Sequence, residues 1–293
     1  IDWPLITITV PAYNEEASIG ATLDRLLELD YPADRRQLIV ISDASSDRTD
    51  AIVQQYAARG VELLRLPRRS GKTAAENAAA AHARGEIVIN IDASVQVLHG
   101  ALIPLVRAFC DPSVGVATGR DVSVGQEDVE GNKGEAGYVG YEMWVRGHET
   151  TVHSIIGASG CFFATRRSLY ERQFPEDLSR DFASALIARE NGYRSVSVAD
   201  AVCVVPRTRS LRSEYQRKVR TMTRGLATLE FKKHLLSTEQ YGVFAWVLIS
   251  HKLCRWLFYL SLPFAALGIL LLATDYLAAR IAIGAGLLVA GLG

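Results

Sequence analysis

Val10-Pro11-Ala12-Tyr13-Asn14-Glu15-Glu16 closes one apolar run and leads into another of different period. Residues 6–10 form a β-type run, and apolar residues at 19, 23, 26 and 27 mark a helical stripe over 19–29. Pro11 reads as the end of the strand and Asn14 as a helix cap, with Glu15 and Glu16 suited to a helix N-terminus. Alone, the segment is ordinary strand–turn–helix grammar. Its weight comes from recurrence. Ser42-Asp43-Ala44-Ser45-Ser46-Asp47 follows a run at 38–41, and Asn90-Ile91-Asp92-Ala93-Ser94 ends a run at 87–91. Ser179-Arg180-Asp181-Phe182 opens a helical segment. Carboxylates thus recur where strands end, the edge at which open α/β sheets bind nucleotides.

Outward from these segments the two periods alternate. Helices are expected over 49–59 and 73–84, with strands at 61–64 and 87–91. Repeated β-α-β predicts a parallel sheet with crossover helices, and near-continuous apolar strands predict a sheet covered on both faces. After Ser94 the order loosens. Helices are expected near 101–110, 137–151, 182–191 and 211–235, alternating with strands near 114–118, 161–165, 195–198 and 201–205.

Lys+Arg and Asp+Glu are equal at 32 each in 293 residues, so no global positive field points to nucleic acid. Two local basic clusters stand out, at 65–72 and 207–224, and as bare charge runs they would be solvated faces. Cys110, Cys161, Cys203 and Cys254 form no CxxC, which removes zinc and redox-motif readings and leaves small core residues as their ordinary role. Arg69-Ser70-Gly71-Lys72-Thr73 lacks the earlier glycine of a phosphate loop, since position 66 is Leu66. No GxGxxG follows the first strand, which argues against a dinucleotide oxidoreductase.

Residues 256–274 carry no charge and are about long enough to cross a bilayer, although a buried core helix has the same composition. A second apolar run follows at 281–293 after a short polar break, which favours a membrane hairpin. His251, Lys252, Arg255 and Trp256 mark a cytoplasmic interface, and the apolar stretch 241–249 fits an interfacial helix. The expected layout is a cytoplasmic domain at 1–235, an interfacial region at 236–255 and transmembrane helices at 256–293, the second of them truncated. The chain starts at Ile1 and ends inside an apolar run, which reads as a piece of a longer protein.

VPAYNEE, SDASSDRTD, SGKTAAENAA, NIDAS, GYEMWVRGHETT, GASGCFFATRRSLY, SRDF with NGYR, and YQRKVRTMTRG together resemble, in order, the family 2 glycosyltransferases. The resemblance covers about residues 5–235 and is strongest to the membrane-embedded branch with hyaluronan, chitin and cellulose synthases. It implies a GT-A fold, a Rossmann-like mixed α/β sheet flanked by helices and followed by interfacial and transmembrane helices. It also implies an inverting enzyme of the inner membrane, multi-pass, with its catalytic domain in the cytoplasm. That enzyme would transfer a hexosyl or N-acetylhexosaminyl group from a UDP-sugar to a glycan acceptor in polysaccharide synthesis. Carried over by position, Pro11, Ala12, Tyr13 and Glu15 would line the nucleotide pocket. Asp43 would hold the uracil or ribose, and Lys72 would approach the nucleotide or diphosphate. Asp92 would begin the Asp-x-Asp that binds nucleotide and metal, Mg²⁺ or Mn²⁺. Asp181 would be the general base, with Gly192 at the family spacing. Arg217 and Arg220 would face the diphosphate from the (Q/R)xxRW motif.

Chemistry supports such a set. Breaking an anomeric C–O bond builds charge on the leaving diphosphate, which cations stabilise, and one carboxylate can take the acceptor's proton. Two positions depart from the family pattern. Ser94 replaces the second acid of Asp-x-Asp, and Thr221 replaces the tryptophan of (Q/R)xxRW. Serine is a poor replacement for a metal carboxylate, so weak metal affinity is the expectation. Two other readings stay open: transfer of one sugar to a polyprenyl-phosphate carrier, and a degenerate glycan-binding or regulatory subunit.

Overall fold

The structure, a computed structural model, describes residues 3–124, 130–206 and 211–291. Arg207 and Arg209 of the second basic cluster lie outside the described residues. The chain divides into two compact units, Ile1–Leu235 and Leu236–Gly293.

The larger unit runs β1 (Ile6–Ala12), α1 (Ile19–Leu27), β2 (Arg36–Ser42), α2 (Thr49–Gln55), β3 (Val61–Arg65), α3 (Lys72–Ala80) and β4 (Ile87–Ile91). It continues with β5 (Gln96–Val97), α4 (Leu102–Arg107), β6 (Val114–Val124), α5 (Glu130–Val152), β7 (Phe162–Arg166) and α6 (Arg167–Tyr170). It ends with α7 (Arg180–Glu190), β8 (Arg194–Pro206) and α8 (Leu211–Phe231). The strands form one sheet in the order β3-β2-β1-β4-β7-β6-β8-β5. β1 to β4 are mutually parallel where they pair, whereas β7 runs antiparallel to both β4 and β6. The first half is therefore the expected crossover unit, and the second half is mixed.

The pleat explains burial on both faces, because successive side chains point to opposite sides. Ile6, Ile8 and Val10 of β1 and Leu38 and Val40 of β2 pack with Ile19, Leu23 and Leu26 of α1. Ile39 and Ile41 face the other way and meet Ala75, Ala79 and Ala80 of α3. Those small side chains let α3 lie close to the sheet, which brings its N-terminal Lys72 to the sheet edge.

Several boundaries differ from the sequence reading. β1 continues through Pro11 to Ala12, pairing there with Ile41 and Ser42 of β2, while its pairing with β4 stops at Thr9. Proline is tolerated because only one side of the strand remains bonded at that point. The two short strands expected near 195–205 are one continuous strand, β8, paired with β6 across a register shift. The helix expected at 49–59 breaks after Gln55 into a 3₁₀ turn. Cys203 is a buried core residue, but Cys110 and Cys254 are exposed.

The smaller unit contains α9 (Thr238–Tyr241), α10 (Val243–Leu248), a π-helical turn (Ile249–Cys254), α11 (Arg255–Leu272) and α12 (Leu277–Gly291). Among the described residues no single helix is long and apolar enough to cross a membrane. The pair Val243–Phe258 and Leu260–Leu272, bent by 50°, passes that test only together.

One close approach fixes the sheet. Gly85, at the entrance to β4, would place a Cβ 2.4 Å from the backbone carbonyl carbon of Ile6. Its N–H also donates to Thr7 Oγ1 at 2.8 Å. Gly85→Ala should therefore destabilise the larger unit by about 1–3 kcal/mol, the usual cost of overpacking. Chemical denaturation of purified protein checks this, and an unchanged midpoint would contradict it.

Candidate active site at the sheet edge

β1 and β4 are neighbours, but their following segments diverge, and ligands of open α/β sheets bind at such a point. Two non-glycine residues there, Asn14 (φ 56°) and Ala44 (φ 55°), take the left-handed conformation. Strain of this kind persists only where surrounding contacts over-determine it. The contacts are visible. Asn14 Oδ1 accepts from the Ser46 N–H at 2.8 Å, and the Asn14 N–H donates to Ser45 Oγ at 3.1 Å. The Glu15 N–H donates to Thr49 Oγ1 at 2.8 Å. Asn14 is thus a brace between two loops and not a helix cap, because α1 begins only at Ile19 after Ser18. The Glu15 carboxylate accepts from Ser18 Oγ at 2.5 Å. Pro11 and Ala12 lie within β1, Ala12 buried and Pro11 partly so.

Asp43 is 5% exposed and spends one bond from each oxygen on the turn before α3. The Ser70 N–H donates to Oδ1 at 2.6 Å and the Gly71 N–H to Oδ2 at 2.8 Å. This turn therefore faces a carboxylate and does not stand open as a phosphate cradle. A carboxylate has further lone pairs, so Asp43 can still accept from a base or ribose. Beside it the Arg69 guanidinium stacks 3.9 Å above the Tyr13 ring, giving the edge an aromatic and cationic wall.

Lys72 stands at the centre. Its Nζ is 2.5 Å from Asp92 Oδ1 and donates to the Gly160 carbonyl at 2.6 Å. Burial would depress the Lys72 pKa, but Asp92, Glu76 and Asp181 together outweigh it and push the pKa up. Lys72 is an ammonium throughout the working range. Asp181 sits in the first turn of α7, and its Oδ1 accepts from Ser179 Oγ at 2.5 Å. A Cβ on Gly160 would come within 2.9 Å of Asp181 Oδ2, so this carboxylate lies against the bare face of Gly160. One residue, Gly160, thereby touches the lysine through its carbonyl and the acid through its Cα.

The residues beneath this set escape sequence reasoning. Glu76, one helical turn after Lys72, is 1% exposed, and its Oε1 has no hydrogen-bond partner. Burial raises its carboxyl to about 7 against the pull of Lys72 and Arg180, with Asp181 and Asp92 adding to the rise. Arg180 is 4% exposed; its guanidinium donates to Asn77 Oδ1 and to the Tyr170 carbonyl and lies over the Tyr170 ring. The only sequence signal was the i, i+4 spacing of Lys72 and Glu76 on one helix face.

Arg217 and Arg220 are exposed on α8. Arg224 of the same stripe places its guanidinium 3.8 Å from the Cβ position of Gly71. α8 is tied to the segment that leads into α7 by the Ser179 N–H, which donates to Thr228 Oγ1 at 3.0 Å.

Asp92 is one-third exposed, and Ser94 is exposed two residues on, in the turn closed by the Val95 N–H and the Asp92 carbonyl. No group of three His, Cys, Asp or Glu side chains converges among the described residues. This donor set fits a hard cation that keeps several waters and takes phosphate oxygens from its substrate, and does not fit one held wholly by protein.

The sequence pattern of the family described as Glycosyl transferase family 2 matches residues 7–174. The chain belongs to that family. An N-acetylglucosaminyltransferase of Rhizobium sp. (strain N33) is 27% identical over 223 residues, 69% of this chain and 48% of the relative. A beta-monoglucosyldiacylglycerol synthase of Synechocystis sp. is 35% identical over 119 residues, 39% of this chain and 25% of the relative. The chain spans about half or less of the length of these curated relatives. A mannosyltransferase from Pyrobaculum calidifontis, solved in complex with GDP-Man and Mn²⁺, superposes with a TM-score of 0.78 at 27% identity. That match covers 98% of this chain and 80% of the other, and the fold is GT-A.

The state of Glu76 has a thermodynamic consequence. Its folded pKa lies above the ordinary 4.5, so its contribution to stability is complete below that value and is lost as pH rises through about 7. Glu76→Gln removes this dependence. The variant's stability relative to the parent should rise by roughly 1–3 kcal/mol between pH 5 and pH 8.5. Denaturation curves at the two pH values test it, and a pH-independent difference would refute it.

Proposed function

We propose that this domain transfers a hexosyl or N-acetylhexosaminyl group from a UDP-sugar, with inversion, to a glycan acceptor at a membrane surface. The observation that carries the reading is Lys72, bonded to Asp92 and to the Gly160 carbonyl, with Asp181 against the side-chain position of that same glycine. Lys72 and Arg224 supply fixed positive charge where a leaving diphosphate gathers negative charge. Asp43 and Tyr13 lie where base and ribose would be held, and Arg217 and Arg220 extend the positive stripe along α8. Asp92, with Ser94 beside it, would hold a Mg²⁺ or Mn²⁺ ion that adds Lewis-acid stabilisation of the diphosphate. Asp181, oriented by the Ser179 hydroxyl, takes the proton of the attacking acceptor hydroxyl. A single base and direct displacement invert the anomeric centre. Asp92 and Asp181, with Lys72 and the arginines of α8, argue against a degenerate subunit.

Membrane attachment belongs to the same reading. Large apolar side chains of α11 are exposed, Phe264 at 75% and Leu271 at 66% among them. Burying such a surface in lipid is favourable, and His251, Lys252 and Arg255 precede it in the pattern of a cytoplasmic interface. Residues 1–235 would then be cytoplasmic, 236–255 interfacial and 256–293 membrane-embedded in the inner membrane. A lipid acceptor is the second reading, favoured by relatives named beta-monoglucosyldiacylglycerol synthase and dolichyl-phosphate beta-glucosyltransferase.

Purified protein with Mn²⁺ or Mg²⁺ should release UDP from at least one of UDP-glucose, UDP-N-acetylglucosamine and UDP-galactose. Asp181→Asn should lower turnover about 10²–10⁴-fold with little change in donor affinity. Release from GDP-mannose alone would overturn the UDP assignment, and near-normal turnover in the variant would remove Asp181 from the reaction. For topology, a cysteine at position 252 should react with membrane-impermeant maleimide only after the cells are opened. Labelling in intact cells would contradict the cytoplasmic placement.

A further inference from the structure

A cavity of about 500 Å³ lies between β6, α5 and β8. Arg120, Asp121 and Val122 line it from β6, Met143 and Trp144 from α5, and Ala199 from β8. Its volume is that of a small-molecule site. Trp144 is 63% exposed, so most of its indole surface is open to a ligand. It belongs to an aromatic row on α5, stacked with Tyr141 at 6.2 Å and meeting His148 edge-on at 4.5 Å.

The polar side of the cavity is built. Ser159 Oγ donates to the Asp121 carboxylate, at 2.8 Å and 2.6 Å from its two oxygens, and Cys203 Sγ lies 3.4 Å from Oδ1. Ser159 is in turn fixed by its own N–H on Thr118 Oγ1 at 2.8 Å. It immediately precedes Gly160, which touches both Lys72 and Asp181. A molecule held by Asp121 is therefore linked through Ser159 and Gly160 to Asp181, the carboxylate proposed to take the acceptor's proton.

An exposed indole beside a fixed carboxylate and a guanidinium matches one chemistry well. A pyranose ring has a face of polarised C–H groups that packs on the electron-rich face of an indole, and a rim of hydroxyls that bond carboxylates and guanidinium groups. We infer that this cavity is the seat of a saccharide acceptor, with Trp144 as its stacking platform and Asp121 and Arg120 binding its hydroxyls. The inference rests on the proposed glycosyl transfer and names the acceptor's class. A hydrocarbon chain would desolvate the Arg120 guanidinium and the Asp121 carboxylate while adding no hydrogen bond to either, which disfavours a lipid tail at this place.

The test uses the full chain, with cellobiose and N,N′-diacetylchitobiose as probes. Tryptophan fluorescence should change saturably with at least one of them in the parent, and that change should be absent in Trp144→Ala and Asp121→Asn. In transfer assays with the same disaccharide, both variants should raise the acceptor KM at least tenfold while the donor KM moves less than threefold. Trp144→Phe keeps an aromatic platform and should recover most of the acceptor affinity, which a merely structural role for the indole does not require. If the parent releases UDP but binds neither disaccharide, or the variants match the parent, the acceptor assignment falls and the transferase reading stands. If dispersed polyprenyl phosphate alone changes the fluorescence, the occupant is a lipid and the assignment is wrong. If the parent releases no nucleotide from any donor, the transferase reading has failed, and disaccharide binding lost in the variants would still report a saccharide site.

Discussion

One ammonium group holds the site together. Lys72 Nζ joins the start of α3 to the end of β4 through Asp92 and to the segment before β7 through the Gly160 carbonyl. These pieces come from distant parts of the chain; β4 and β7 pair as neighbouring strands, and Lys72 ties the start of α3 to both. The contact is charge-assisted and only partly exposed, so it is stronger than an ordinary surface pair. It also sets a balance. Asp92, Asp181 and Glu76 surround Lys72 and Arg180, and any change in one carboxylate is felt by both cations. An incoming diphosphate would compete with these acids for Lys72, which gives the site a built-in response to donor binding.

Below this centre a run of buried polar groups fixes α3 and α7 against the sheet. Thr9 Oγ1 and the Tyr170 hydroxyl both donate to Asn90 Oδ1. Arg180 links Tyr170 to Asn77, and Asn77 donates to the Phe174 carbonyl at 2.6 Å. Thr73 Oγ1 reaches the Leu178 carbonyl at 2.8 Å. Buried networks of this kind are rigid when satisfied and costly when broken. Their effect here is to place Asp181, on α7, at a fixed height over Gly160. The position of Asp181 is thus set by residues more than 100 positions away in sequence.

The edge of the sheet was largely legible from the sequence, because strand ends and turns are local features. Asp43, Lys72, Asp92 and Asp181 were each readable as a polar group at an element boundary, and the structure brings Lys72 and Asp181 to one glycine and Asp92 to Lys72. Asn14 was misread because a cap and an inter-loop brace use the same residue type, and only the partner loop at 45–49 tells them apart. Glu76, Asn77 and Arg180 were invisible for a different reason. A buried charge looks like a surface charge until its long-range partners are known. The antiparallel β7 and the unbroken β8 were equally hidden, since an apolar run states that a strand exists but not which neighbour it pairs with. In the smaller unit, the uncharged runs suggested a membrane hairpin, whereas among the described residues no single helix is long and apolar enough to cross a membrane and only the bent pair Val243–Phe258 and Leu260–Leu272 passes together.

The most direct test of the account is an experimental structure of the full chain with UDP and Mn²⁺. The account predicts the diphosphate against Lys72 and Arg224, the cation on Asp92, and the uracil between Asp43 and Tyr13. Asp181 should remain over Gly160, facing the space above the diphosphate. A nucleotide bound elsewhere, with the Lys72–Asp92 pair and the Gly160 contact untouched, would contradict it.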